Sequence, residues 1–364
     1  MGECLHCMRK SPTISSFLGV CADCVRLHYK KVKPRVEEAH RQVKERFGLP
    51  ARPPRVENGL QCKICTNLCR IPEGGRGYCG VRFNSQGKLC GGRIREGLFH
   101  SYFDPLPTNC VADWVCAAGT ESGYPQFSYS PGVEHGYKNL AVFFTSCTFN
   151  CLFCQNWHYR EESLERGNSG PEALAEKVDE RTACICYFGG DPTPQLPYAL
   201  KASSLAIERK KGNILRICWE TNGSMNPRLL KKMADISLQS GGCIKFDLKA
   251  WNDNLHRALC GISNKRTLHN FKILAWYLKQ RPDPPFLVAS TLLVPGYVDE
   301  QEVKDIAGFI ASLDPDIPYS LLAFYPHFYL KDLPFTSREH AQRCLEAARK
   351  QGLKRVRIGN IHLL

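Results

Sequence analysis

The chain has 364 residues, 43% hydrophobic and 23% charged, with a net charge of +14 and 20 cysteines. That balance excludes a disordered chain and allows one large core with small appendages. No run of about 18 apolar residues occurs, and "MGECLHCMRK" has no apolar signal core, so a cytoplasmic protein with no membrane partner is expected.

In that compartment clustered cysteines point to metal ligands sooner than to disulfides. The basic surplus suits an acidic protein surface or a nucleic acid; it bears on encounter, not on chemistry. First along the chain, Cys4, Cys7, Cys21 and Cys24 form two CxxC knuckles whose four thiolates close a tetrahedron, with Zn2+ the expected occupant. "CADCVRLHYKK" reads as a helix start, and Arg26, Lys30, Lys31 and Lys33 beside it are either an RNA-facing or a solvated face. "PRVEEAHRQVKERFG" predicts a helix with Val36, Ala39, Val43 and Phe47 on one side, Pro34 near its start and Gly48 at its end. The Pro-rich "LPARPPRVENG" is a linker, and residues 1–58 are taken as a first module.

Residues 59–137 make a second Cys-rich module. Cys62, Cys65, Cys69 and Cys79 are a second four-thiol set, with Gly74, Gly75, Gly77 and Gly80 around the last ligand. Their spacing leaves zinc and an auxiliary iron–sulfur cluster both open. Cys90, Cys110 and Cys116 lack CxxC spacing and are either helpers of that site or buried thiols.

From 138 to 364 the texture changes. The runs "NLAVFFTS", "TACICYFG", "ILRICWE", "CIKFDLK", "FLVASTLLV", "YSLLAFY" and "RVRIGNIHL" alternate with candidate helices near 171–180, 194–211, 226–234, 265–280, 299–312 and 337–351. Such alternation predicts a parallel α/β sheet covered by helices: a barrel or partial barrel, with a doubly wound open sheet as the other option. In either, chemistry belongs at the carboxyl ends of the strands.

There the sequence places "SCTFNCLFCQNW", with Cys147, Cys151 and Cys154 in eight positions. A structural zinc site wants four protein ligands, and a [4Fe–4S] cluster usually takes four thiolates. Three on one loop suggest a four-iron cluster with one iron open to a small molecule; a zinc site completed by His158 is the alternative.

The Cx3Cx2C spacing directly after the first parallel strand resembles the radical S-adenosylmethionine superfamily. "YFGGDP" is similar to its GGEP motif, with Asp for Glu, and "WETNG" resembles the DTNG of glycyl-radical activating enzymes. "KFDLKAWNDNLHRALCG", with Asp247, Lys249 and His256, "LLVPGYVDEQEV", "LLAFYPH" and "RIGNIHL" follow in the same order. "CQNW" and "CKICTNLCRIPEGGRGYCGVRFNSQGKL" extend the likeness to the AmmeMemoRadiSam radical enzymes beside the pyruvate formate-lyase activases, over about 60–364.

The resemblance implies a partial (β/α)6 TIM-like barrel preceded by small Cys-rich modules, with a [4Fe–4S] cluster on Cys147, Cys151 and Cys154. It implies that Gly189, Gly190, Asp191, Glu220, Thr221, Asn222, Asp247, Lys249 and His327 surround S-adenosylmethionine, with a monovalent cation near Glu220 and Asp247. Gly190→Val is then expected to block the cofactor and spare the cluster. The implied reaction makes a 5′-deoxyadenosyl radical that takes hydrogen from a substrate, here a protein, with a ferredoxin or flavodoxin as electron donor. Two rival readings are a radical enzyme acting on RNA and a zinc-dependent nucleic-acid-binding protein with an inert barrel.

Overall fold

The near-continuous apolar runs from residue 138 onward cannot leave a face to water, so they stack side by side under helices. A computed structural model describes residues 1–162 and 169–364. Its main sheet has eight strands: β1 (Phe99–Pro105), β2 (Lys138–Phe144), β3 (Thr182–Gly189), β4 (Arg216–Thr221), β5 (Ile244–Asp247), β6 (Leu287–Leu293), β7 (Tyr319–Ala323) and β8 (Val356–Gly359). Strands β2 to β8 are parallel, and β1 pairs antiparallel with β2, Phe99 opposite Phe144 and Pro105 opposite Lys138. Spatial order equals chain order with no reversal, which rules out double winding. With β1 and β8 unpaired at the edges, the sheet is an open partial barrel.

Helices α1 (Ala22–Leu27) and α2 (Tyr29–Arg46) precede the sheet. Between its parallel strands run α3 (Pro171–Ala175), α4 (Leu196–Arg209), α5 (Pro227–Ser240), α6 (Asp253–Cys260) with α7 (Lys265–Ala275), α8 (Glu300–Leu313) and α9 (Arg338–Lys350). These make six strand–helix units closed by β8. No helix among the described residues is long and apolar enough to cross a membrane.

Two local expectations need correction. Pro34 lies inside α2, not near its start. It is exposed there, so the carbonyl it leaves unpaired reaches water, while the buried stripe Val32, Val36, Ala39 and Val43 carries the helix past it. Arg26 is not a free basic residue: it donates to Asp299 Oδ2 at 2.8 Å, to Tyr297 O at 3.1 Å and to Glu302 Oε1 at 3.3 Å.

These contacts seat residues 1–27 on the turn after β6. Tyr297 Oη lies 3.1 Å from the Ser15 amide and donates to Val20 O at 2.9 Å. Gly296 has φ +76°, and a Cβ there would come 2.2 Å from Thr13 O, so the close approach requires glycine. One continuous apolar core runs from Cys4 through the barrel to Val356.

Residues 106–134 fill the concave face of the sheet below its carboxyl ends. Ala112, Val115 and Trp114 pack with Cys243, Val288 and Cys218. A fully buried ion pair, Arg216 with Glu134, fastens this segment to β4; Arg216 also donates to Phe127 O at 2.7 Å, and Glu134 accepts from the Tyr129 amide at 2.8 Å.

Candidate active site and metal centres

Each parallel strand delivers its following loop to one end of the sheet, and there a cavity opens. Its wall includes Cys147, Cys151 and Cys154 from the loop after β2, Gly189, Gly190 and Asp191 from the end of β3, and Glu220, Thr221 and Asn222 from β4. Asp247 and Lys249 from β5 complete the set that the sequence nominates. His327 stands outside this wall; it accepts from Trp157 Nε1 at 2.9 Å and packs among Trp157, His158 and Tyr325.

The cysteine loop is held by polar ties on both sides. Asn222 Nδ2 donates to Thr148 Oγ1 at 2.9 Å and approaches Cys147 Sγ at 3.7 Å, and the Phe149 amide lies 3.4 Å from the same sulfur. Asn156, of "CQNW", donates to Gly189 O at 3.4 Å. Phe149 and Phe153 are buried and line the cavity. Burial pushes the Cys147 and Cys154 thiols up, and the neighbouring Cys260 side chain and then burial do so at Cys151. The bare loop therefore carries neutral thiols, and a metal's charge is needed to make them thiolates.

Gly190 sits where β3 meets that loop. Its amide donates to Phe144 O at 2.8 Å, and a Cβ would meet Ser146 O at 2.3 Å. A side chain at 190 thus strikes the backbone beside Cys147 before it reaches open cavity, so the expectation that Gly190→Val spares the cluster site does not stand. Asp191 is buried and spends both oxygens on protein: Oδ1 on the Thr193 amide at 2.8 Å, Oδ2 on the Asn222 amide at 2.7 Å and Thr221 Oγ1 at 3.1 Å. Its carboxylate ties the end of β3 to the end of β4.

A charged chain crosses the cavity floor. Lys245 Nζ lies 3.1 Å from Glu220 Oε2 and 2.7 Å from Asp247 Oδ1; Lys249 Nζ lies 3.1 Å from Asp247 Oδ2; Ser290 Oγ donates to Asp247 Oδ1 at 2.8 Å. Burial alone would raise the Asp247 carboxyl, but Lys245 and Lys249 hold it well below the usual carboxylate range. Lys245 escaped the sequence reading. Its signal was a lysine inside an apolar strand, two residues before Asp247 and so on the same face.

Arg160 was also missed. It is buried beside the three thiols, donates to Asn150 Oδ1 at 2.9 Å, and keeps a buried Nε with no hydrogen-bond partner. An orphaned cationic donor next to three thiols fits an anionic cluster.

The other cysteines separate into groups. The sulfurs of Cys4, Cys7, Cys21 and Cys24 all lie within 4.8 Å of one another, with Cys7 and Cys21 at 3.8 Å. Cys62, Cys65, Cys69 and Cys79 line a second, smaller cavity. Cys110 is not with that set: it donates to Glu220 Oε1 at 3.3 Å, and Cys116 packs against the cluster of Leu106 and Cys184. Cys186 and Cys218 are opposite one another on β3 and β4, with Cys184 opposite Arg216.

Residues 141–310 match the family model of the Radical SAM superfamily. An uncharacterized protein of Methanocaldococcus jannaschii is 26% identical over 313 residues, 84% of this chain and 82% of its own. The pyruvate formate-lyase 1-activating enzyme of Escherichia coli is 30% identical over 154 residues, 40% of this chain and 57% of that one. The isethionate sulfite-lyase activating enzyme of Desulfovibrio desulfuricans is 30% identical over 157 residues, 41% of this chain and 46% of its own. The chain thus spans about half the length of these two activating enzymes. The three-cysteine loop stands at the head of the strands that the Radical SAM family model matches within residues 141–310.

Proposed function

We propose that this protein cleaves S-adenosylmethionine reductively and uses the product radical to take a hydrogen atom from a peptide or protein. The observation that carries the reading is the cavity in which Cys147, Cys151 and Cys154 face Gly190, Glu220, Asn222, Asp247 and Lys249. A [4Fe–4S] cluster bound there would supply the one-electron reduction that cleaves a sulfonium C–S bond of S-adenosylmethionine.

Cys147, Cys151 and Cys154 hold the cluster, and Arg160 balances its charge from behind the loop. Gly189 and Gly190 present backbone to the methionine end of the cofactor. Asp247, kept ionised by Lys245 and Lys249, and Glu220, paired with Lys245, offer the ribose hydroxyls acceptors, and any monovalent cation there belongs between the same carboxylates. Phe149 and Phe153 keep water from the radical. No general base or nucleophile is needed.

A protein target is supported by the activating enzymes among the relatives, whose names make another enzyme their object. A ferredoxin or flavodoxin is the electron donor of this reading, and zinc is the occupant of the Cys4 set: tetrahedral bonds of about 2.3 Å give a sulfur–sulfur edge of about 3.8 Å, as found between Cys7 and Cys21.

Anaerobic, reduced protein is expected to turn S-adenosylmethionine into 5′-deoxyadenosine and methionine, and Cys147→Ala, Cys151→Ala and Cys154→Ala each to abolish it. Turnover retained in any one of the three sinks the assignment. Trapping a co-purifying protein and mapping its altered residue tests the target.

A further inference from the structure

We propose that Cys62, Cys65, Cys69 and Cys79 hold a second four-iron cluster and not a single metal ion. The chain carries its own ruler for the distinction. At Cys4, Cys7, Cys21 and Cys24 all four sulfurs fall within 4.8 Å of one another, the spacing that one tetrahedral ion imposes. Among the described residues no other three Cys, His, Asp or Glu side chains bring their ligand atoms that close. Yet Cys62, Cys65, Cys69 and Cys79 surround one cavity, walled also by Ile64, Ile71 and Thr148. Four thiols spread around a cavity suit a cubane, whose irons and sulfides occupy the middle and hold the thiolate sulfurs about 6 Å apart. The sulfurs of Cys147, Cys151 and Cys154 likewise do not all fall within 4.8 Å of one another, and the proposal rests on the reading of that loop only for this comparison.

The surroundings suit an anionic occupant. Lys44 is buried, with Nζ donating to Tyr78 O at 2.6 Å between the two ligands Cys69 and Cys79. Arg82 lines the cavity, is 9% exposed, and has a buried Nε with no partner on the protein. The Tyr78 amide points to Cys69 Sγ at 3.5 Å, the kind of N–H···S contact that tunes cluster potential. The site also abuts the first loop: Asn67 Nδ2 donates to Thr148 O at 2.8 Å, and Thr148, next in the chain to Cys147, forms part of the second cavity's wall.

The test is metal content and spectroscopy on the full chain, reconstituted anaerobically with iron and sulfide. The unsubstituted protein is expected to hold about eight irons and about one zinc. The triple variant Cys147→Ala/Cys151→Ala/Cys154→Ala is expected to keep half of that iron, with a reduced-cluster EPR signal that added S-adenosylmethionine does not change. Cys65→Ala/Cys69→Ala is expected to lose that signal and keep one that the cofactor does change. An unsubstituted protein with half the expected iron and two zincs overturns the proposal while leaving the reading of Cys147, Cys151 and Cys154 intact. Counting zinc, iron and acid-labile sulfide per chain in the unsubstituted protein decides this without any variant, should the triple variant not fold. A protein that binds no iron at all overturns both.

Discussion

Replacing Gly190 by alanine puts one methyl group where no space exists. The added Cβ would lie 2.3 Å from Ser146 O, 2.8 Å from Ser146 C and 2.9 Å from Phe144 O, all backbone. An ordinary contact needs about 3.4 Å or more, so the junction of β3 with the cysteine loop must open by roughly 1 Å. Overpacking of this kind costs about 1–3 kcal/mol. For 364 residues, an unfolding entropy of about 2.1 cal/mol/K per residue makes that a fall in Tm of roughly 1–4 °C. The larger effect is local. A shift of about 1 Å at a reacting centre costs on the order of a hundredfold in rate, and the shift falls on the residue before Cys147. The assay is 5′-deoxyadenosine formation per cluster, alongside iron content and a thermal melt. Gly190→Ala should bind less iron or, loaded, turn over at about a hundredth of the parent rate. Full iron with parental turnover would show that Ser146 yields freely and that the contact does not position the loop.

Arg216→Met leaves Glu134 buried without its cation and should cost about 3–5 kcal/mol by chemical denaturation, most of it recovered in Arg216→Met/Glu134→Gln; equal losses in the two would mean the pair is not the source. His40 and His256 are both buried and held down to about 4, by desolvation first, against an ordinary value of 6.5. The unfolded chain therefore takes protons that the folded one refuses, so stability is full above about pH 6.5 and falls towards pH 4, by up to about 3 kcal/mol for each histidine. Denaturation at pH 7 and pH 5 reads this, and His40→Gln should flatten the slope. Affinity for bulk RNA, followed from about 50 to about 200 mM salt, should stay weak and shallow; a loss near a thousandfold would mean six or more phosphate contacts and favour an RNA substrate.

Strands β2 to β7 were legible because each is a largely buried run rich in apolar residues, β8 because it closes the same alternation, and the helices between them followed by elimination. Strand β1 was not. Phe99–Pro105 has no buried residue and is mostly exposed, and it becomes a strand because the edge of β2 offers it a full ladder of partners. α6 was hidden for a different reason: eight residues from Asp253 to Cys260 carry too few turns to show a period. At the cavity, the residues that could be named stand at the carboxyl ends of strands or on the loops directly after them, where chain order and spatial order coincide. Those that could not, Lys245 and Arg160, act through charge within a strand and within a short turn. The seating of Arg26 on Tyr297 spans 271 positions of chain, and local pattern says nothing of it.

That seating joins two equilibria. The segment bearing Cys4, Cys7, Cys21 and Cys24 would fold around the metal proposed for those four sulfurs, and its Ser15, Val20 and Arg26 clasp Tyr297 and Asp299 in the turn that follows β6. The same strand contributes Ser290 and Leu292 to the cavity wall. A chelator that empties the first site therefore loosens a support of the second, at a distance and without competing for any ligand there. By reciprocity, a molecule that fills the cavity and steadies β6 must tighten the hold on the remote ion by the same factor.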